Sequence, residues 1–73
     1  MSRLIRMDHT GHSTLAEWTV GDDTAYDAAV EAFRRELDRG YIGVLDEGEG
    51  RATHVRELPH EGFVVLRRPI AGG

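Results

Sequence analysis

The sequence predicts an α+β domain in which one amphipathic helix packs across one face of a mixed sheet of four to five strands. Three observations lead to this fold class. The middle of the chain carries a stripe of apolar residues at helical spacing, and short β-prone runs bounded by glycine-rich turns lie on both sides of it. An almost continuous apolar run, from Phe63 to Leu66, lies close to the end. A helix that covers one face of a sheet gives a two-layer domain.

Length, charge and composition narrow the class of protein. The chain has 73 residues, of which 40% are hydrophobic and 30% charged, and this suits a small globular domain. It contains no cysteine, which excludes disulfides, thiolate nucleophiles and cysteine-based metal sites. The net charge of -4 argues against nucleic acid as the main partner. Because no apolar stretch is long enough for a membrane span or a signal peptide, we expect a cytoplasmic protein.

The first half of the sheet is predicted to be a hairpin. Residues 4–8 form its first strand, and residues 13–20 return as a half-buried outer strand in which Trp18 is out of phase with Leu15. Gly11, in the turn between the two strands, can adopt the positive φ that a tight hairpin requires.

The helix is predicted over residues 25–39. Thr24 is the expected N-cap, with Asp27 at the third helical position as in a capping box, and Gly40 ends the helix. Five apolar residues recur at spacings of three and four and should face the sheet: Tyr26, Ala29, Val30, Phe33 and Leu37.

Three further strands are predicted after the helix. Residues 41–45 form a short strand, an acidic and glycine-rich turn follows at 46–50, and the polar run at 51–58 is expected to be an edge strand. The closing strand at 63–66 has little alternation of apolar and polar residues. Such a strand is typically buried on both faces in the middle of a sheet, and here it can lie beside the first strand.

The segment after the closing strand is the main candidate for function. Two arginines follow the strand, Pro69 cannot continue the ladder, and Gly72 and Gly73 lack side chains. Residues without a Cβ allow close approach from every side, so a carboxylate at Gly73 could pass through a narrow enzyme channel. We therefore divide the chain into one domain over residues 1–68 and a flexible tail over 69–73.

The order of these elements resembles the ubiquitin-like, β-grasp family. That family has a hairpin, a helix, further strands and a central last strand that runs parallel to the first and leads to Gly-Gly. The Thr10-Gly11 turn is similar to the family's first turn, Asp23-Thr24 to its helix entry, and residues 65–73 to its last strand and tail. The chain departs from ubiquitin itself in carrying a proline in the tail and no lysine.

The resemblance implies a function through the terminal carboxylate. Gly73 would be adenylated by an activating enzyme that uses ATP, passed to an enzyme cysteine as a thioester, and conjugated to an amine of a target protein. A conjugating enzyme and a deconjugating protease are further implied partners, and the chain would be a substrate of enzymes with no catalytic residue or cofactor of its own. The residues expected to take part are Gly72 and Gly73 in activation and Arg67, Arg68, Ile70 and Ala71 in partner binding.

Two other functions stay open. In the sulfur-carrier branch of the family, Gly73 would become a thiocarboxylate. A small non-covalent interaction or assembly module could share the fold, and its Gly-Gly would then be incidental. A bacterial, cytoplasmic chain suits either branch of the family.

Other patterns give weaker alternatives. All nine basic residues are arginine, which the codon usage of a GC-rich genome explains, although a modifier would also gain from having no side-chain amine of its own. His9 and His12 lie three residues apart at the first turn without a third ligand, so solvated turn residues are favoured over a metal site. No nucleophile with an adjacent base and no calcium-loop spacing is present, and we expect no enzyme.

Overall fold

A five-stranded mixed sheet and one helix form the fold in the computed structural model, which describes residues 1–69. The predicted α+β class is therefore confirmed. The elements are β1 (Ser2–Asp8), β2 (Gly11–Trp18), α1 (Asp23–Asp38), β3 (Ile42–Gly48), β4 (Arg51–Val55) and β5 (Phe63–Arg67).

The strands lie in the order β2-β1-β5-β3-β4, so the closing strand β5 is central, as the sequence predicts. It pairs in parallel with β1, where Leu4 faces Val64, and antiparallel with β3. The chain between β1 and β5 contains β2, α1, β3 and β4. Within this connection, α1 packs against the sheet. The predicted outer strands β2 and β4 form the two edges.

The face of β5 opposite the helix is only partly covered. Val64 and Leu66 are fully buried beneath α1, whereas Phe63 is 43% exposed and Val65 is half-buried on the other face. The prediction that this strand is buried on both faces is therefore wrong. The reason is that α1 covers one face, and within residues 1–69 no second layer lies on the other.

The helix begins and ends close to its predicted bounds but has a different cap. The side chain of Asp22 accepts a hydrogen bond from the backbone N–H of Ala25 at 3.1 Å, which makes Asp22 the N-cap and places Thr24 inside the first turn. Gly40 follows the helix with a φ of 96°, as its predicted role requires. The buried residues of α1 are Ala29, Phe33 and Glu36.

The burial of Glu36 corrects the predicted apolar stripe. Leu37, predicted to end the stripe, is half-buried, and the carboxylate of Glu36 lies nearer the sheet. It accepts hydrogen bonds from Arg6 on β1 at 3.1 Å and from Arg39 at 3.3 Å. A charged residue at this position is compatible with the core because two guanidinium groups neutralise it.

A β-bulge explains the irregular pattern of β2. Leu4 pairs with Ala16 and Ile5 with Thr14, which leaves Leu15 as an extra residue on β2. The bulge changes the alternation along the strand, and Trp18 is thereby buried in the core. The strand covers Gly11–Trp18 rather than the predicted 13–20.

The second hairpin has a shorter turn than predicted. β3 continues to Gly48, so the turn consists of Glu49 and Gly50, with φ of 52° and 78°. Positive φ at both turn residues matches the twist of the paired strands.

Beyond β4 the chain forms a connector, residues 56–62, instead of continuing the strand to residue 58. The indole N–H of Trp18 donates to the carbonyl of His60 at 2.7 Å, and the hydroxyl of Tyr26 donates to the carbonyl of Leu58. Through these bonds, the connector runs from the sheet edge to the start of the helix, where Leu58 is buried. Tyr26 also stacks on His60, with ring centroids 4.6 Å apart.

The first turn contains a titratable group with a shifted pKa. The carboxylate of Asp8 accepts hydrogen bonds from the Thr10 hydroxyl and, at 2.8 Å, from the Thr10 backbone N–H. These two bonds, together with the nearby positive charge of Arg6, lower the pKa of Asp8 from its usual value of 3.8.

The shifted pKa predicts a pH-dependent effect of Asp8→Asn. A carboxylate whose folded pKa is lowered stabilises the fold at a pH above its unfolded pKa, and this contribution is lost as the pH falls through the folded pKa. The free energy of unfolding of the native protein should exceed that of Asp8→Asn at neutral pH, and the difference should shrink below about pH 4. Urea unfolding across this range measures it. Thr10→Ala should show a reduced pH dependence, and a constant difference for Asp8→Asn would contradict the prediction.

Within residues 1–69, the helix is too short and too polar to cross a bilayer.

Candidate functional site

The described part of the predicted site lies at the end of the sheet where β5 finishes. Because β1 and β5 are parallel, their carboxyl ends meet there, and Arg67 is flanked by Met7 of β1 and Ile42 of β3. Arg67 itself is exposed. The chain therefore leaves the sheet from its middle, with an ordered strand on each side.

Arg68 is positioned by an aromatic ring. Its guanidinium carbon lies 5.4 Å from the ring centroid of Tyr41, which is buried. The backbone N–H of Tyr41 donates to the carbonyl of Glu36 at 3.1 Å, so the backbone of Tyr41 is held against the last turn of α1. A cation–π contact of this exposed kind contributes about 0.5–1 kcal/mol.

The two arginines of the predicted site lie at one end of the sheet but have different surroundings. Arg67 borders the open face of the sheet, and Arg68 lies near the helix terminus. Within residues 1–69, neither arginine forms an ion pair, so both guanidinium groups can contact an acidic partner. Four predicted site residues lie outside the described part of the chain: Ile70, Ala71, Gly72 and Gly73. The predicted division into a domain and a tail stays a prediction.

The open face contains a hollow that the sequence reasoning missed. Its volume is about 450 Å³, and Met7, Val44 and Val65 supply apolar lining between the central strands and the second hairpin. Met7 is 45% exposed. Charges of both signs border the hollow, including Arg67 and Asp46. Ile5 and Met7 alternate with polar residues in β1, and this alternation is the sequence signal for a second apolar face of the sheet. One helix can cover only one side of the sheet, so this second face is left open.

A larger groove, of about 720 Å³, lies between α1 and the connector. Its lining is mainly polar and includes Asp27, Arg34, Arg56 and Glu57. The hydrogen bonds of Trp18 and Tyr26 to the carbonyls of His60 and Leu58 hold the connector in place beside this groove.

The four histidines do not form a recognisable ligand set in the described part of the chain. His9 and His12 lie at the first turn and its following strand, His54 on the opposite edge strand, and His60 on the connector. Among residues 1–69, no group of three or more histidine, aspartate or glutamate side chains has a geometry that could hold a metal ion.

The chain has no match among models of protein families, curated proteins or solved structures. The functional argument therefore depends on the fold and on the residues themselves.

Proposed function

We propose that this chain is a ubiquitin-like modifier with the β-grasp fold, that its mature C-terminus is Gly73, and that the Gly73 carboxylate is conjugated to amines of target proteins. The observation that carries this proposal is the position of β5. A central strand, parallel to β1, leads to exposed Arg67 and Arg68, and Gly72-Gly73 follow a few residues later in the sequence. The sheet order and the single helix of residues 1–69 fit the β-grasp layout.

The proposed reaction has three steps, an adenylyl transfer followed by two acyl transfers. An oxygen of the Gly73 carboxylate attacks the α-phosphate of ATP on an activating enzyme, and pyrophosphate leaves. An enzyme thiolate attacks the acyl carbon of the adenylate, and AMP leaves. An amine of the target then attacks the thioester, the enzyme thiolate leaves, and the amine loses a proton as the amide forms.

In these steps, the residues of this chain give the Gly73 carboxylate access to the nucleotide and supply the contacts with the activating enzyme. Gly72 and Gly73 allow the backbone to approach the nucleotide because neither has a Cβ. Arg67 and Arg68 contact acidic residues of the activating enzyme, an interaction that raises the association rate and selects the partner. Ile70 and Ala71 supply the contacts between the arginines and the glycines. These 73 residues contain no lysine, so none of their side chains offers an amine for self-conjugation.

The test is mass spectrometry of the protein and its adducts, recovered from the native host after mild purification. Conjugation predicts adducts with a target lysine joined to Gly73. Because Arg68 precedes Pro69, where trypsin does not cleave, trypsin should cut after Arg67 and leave the remnant Arg68–Gly73 on the target lysine. Deletion of Gly73 and Gly72→Val should abolish the adducts. Thr14→Ala, on the distant exposed edge of β2, is the matched control and should retain them.

Other results of this experiment would contradict the proposed modifier function. Sulfur in place of one terminal oxygen at Gly73 would identify a sulfur carrier. A native chain that continues beyond Gly73 without processing, or one recovered without adducts, would overturn the modifier function.

The open face of the sheet favours a second candidate, a non-covalent interaction module. Its apolar hollow exposes Met7, and such surface is common at protein-binding sites. A module of this kind should keep its partner after deletion of Gly73 and lose it in Met7→Glu. A modifier loses its adducts in the first variant, so the two functions are distinguishable.

A further inference from the structure

A hollow remains on the helix side of the sheet where α1 does not cover β4. The helix lies nearer to β2 than to β4. Val55 of β4 pairs with Gly43, the strand residue beneath Phe33, so Val55 lies on the helix face of the sheet. It is nevertheless only half-buried. The space beside it, which we call the β4 hollow, has a volume of about 350 Å³.

The β4 hollow combines an apolar lining with basic side chains. Its apolar residues come from the end of α1, the start of β3 and the end of β4: Leu37, Tyr41, Ile42 and Val55. Apart from one glycine, the other described residues of the lining are His54 and Arg56, and none of them is acidic. The open-face hollow and the groove beside the connector differ, because their linings include acidic residues such as Asp46 and Glu57.

A second guanidinium group lies beside the β4 hollow. The guanidinium carbon of Arg68 is 5.4 Å from the ring centroid of Tyr41, and Tyr41 is part of the lining. Arg56 and Arg68 are both exposed, and among residues 1–69 neither forms an ion pair. A ligand that places an apolar side chain in the hollow would therefore bring its neighbouring acidic groups close to two available arginines.

We propose that the β4 hollow docks a segment of a partner protein in which large apolar side chains are flanked by acidic ones. The apolar side chains fill the hollow, and the carboxylates pair with Arg56 and Arg68. A nucleic acid fits this site less well, because the lining is apolar and the chain has a net charge of -4. Every residue that carries this inference precedes Pro69, so the inference does not depend on the function proposed for Gly73.

A peptide titration followed by NMR tests the docking site. The probe is the hexapeptide Glu-Glu-Phe-Leu-Glu-Glu, blocked at both ends and added to the full chain. So small a contact binds weakly, and we expect a Kd of about 0.1–1 mM. The amide signals of Tyr41, Val55 and Arg56 should shift and reach saturation. No saturable shift up to about 5 mM peptide, or shifts confined to Met7 and Val65 on the open face, would overturn the proposal.

Charge reversal tests whether the basic rim selects the peptide. Arg56→Glu should weaken binding by about tenfold, because it replaces an attractive contact with a repulsive one. Arg35→Glu is the matched control, since Arg35 is an exposed arginine of α1 outside the lining and the net charge changes equally. At 0.15 M salt, where charges are screened over about 8 Å, this control should weaken binding less than about twofold. Equal losses in the two variants would contradict a specific site.

Two further probes test the apolar part of the site. A peptide with Gly-Ser in place of the central Phe-Leu should bind at least about tenfold more weakly, because it has no apolar side chains to bury. A single-stranded oligonucleotide of the same charge should also bind at least about tenfold more weakly. If either probe bound as tightly as the first peptide, the surface would attract anions in general, and the proposed docking site would be wrong.

Discussion

Replacing Gly43 by alanine is expected to destabilise the fold by about 2 kcal/mol, although alanine is normally the better residue within a strand. A Cβ at position 43 would lie 2.7 Å and 2.9 Å from two ring carbons of Phe33, and 3.0 Å from the carbonyl oxygen of Val55. Phe33 is 1% exposed, so core residues on all sides prevent its ring from moving. The loss would be a large share of the roughly 4–11 kcal/mol expected for a domain of this size. Urea unfolding followed by Trp18 fluorescence measures it.

A smaller residue at position 33 should rescue this variant. Phe33→Leu alone should cost about 1–2 kcal/mol, because it leaves a cavity beside Gly43. In the double variant the new methyl group occupies that space, so the combined loss should be at least about 1 kcal/mol smaller than the sum of the two single losses. Gly40→Ala is the matched control: its positive φ strains alanine, but no atom lies within 4 Å of the added Cβ. Phe33→Leu should not rescue it, and strict additivity at position 43 would contradict the packing explanation.

The close contact of Gly43 with Phe33 shows where sequence reasoning reaches its limit. Local periodicity located α1 and placed Phe33 on its buried face, and the apolar run at β5 correctly indicated a central strand. Both features repeat along the chain and are visible in a short window. The contact between Gly43 and Phe33 joins separate elements, and depends on how closely the helix approaches the sheet. A glycine within a predicted strand suggests such an approach without identifying the partner.

The candidate site was predictable to a similar extent. Arg67 and Arg68 were identified because they follow the apolar strand, but their different surroundings depend on β1, β3 and Tyr41, which only the fold brings near them. The open face was missed because an apolar run was interpreted as burial on both sides. Counting layers would have corrected this, since one helix is too little to cover both faces of a five-stranded sheet.

Glu36 was missed for a related reason. Its three-residue spacing from Phe33 places it on the buried face of α1, but a charged residue is normally expected at the surface. Its partner Arg6 lies thirty residues earlier in the chain, and no local pattern connects the two. The carboxylate also lies near the C-terminal end of α1, where the helix dipole disfavours negative charge. The two arginines must therefore offset both the burial and the dipole.

Glu36→Leu is expected to destabilise the fold by about 2–3 kcal/mol, because it leaves the partly buried guanidinium of Arg6 without its main partner. The loss should be smaller than for a fully buried pair, since the side chain of Arg6 is 26% exposed and Asp8 lies 3.8 Å from its Nε. Urea unfolding at two salt concentrations is the measurement. Salt should change the loss little, because the side chain of Glu36 is only 6% exposed.

The double variant Arg6→Leu/Glu36→Leu separates the cost of an unpaired charge from the value of the pair. Replacing a buried ion pair with apolar residues of similar volume is often neutral, so the double variant should recover at least about half of the stability lost in Glu36→Leu. Glu31→Leu, at an exposed position of the same helix, is the matched control and should change stability by less than about 0.5 kcal/mol. If Glu36→Leu were as mild as this control, the pair would contribute nothing to the fold. Arg6 pairs with Leu66 across the parallel ladder, so a stabilising ion pair also holds β1 beside the end of β5, next to Arg67 and Arg68.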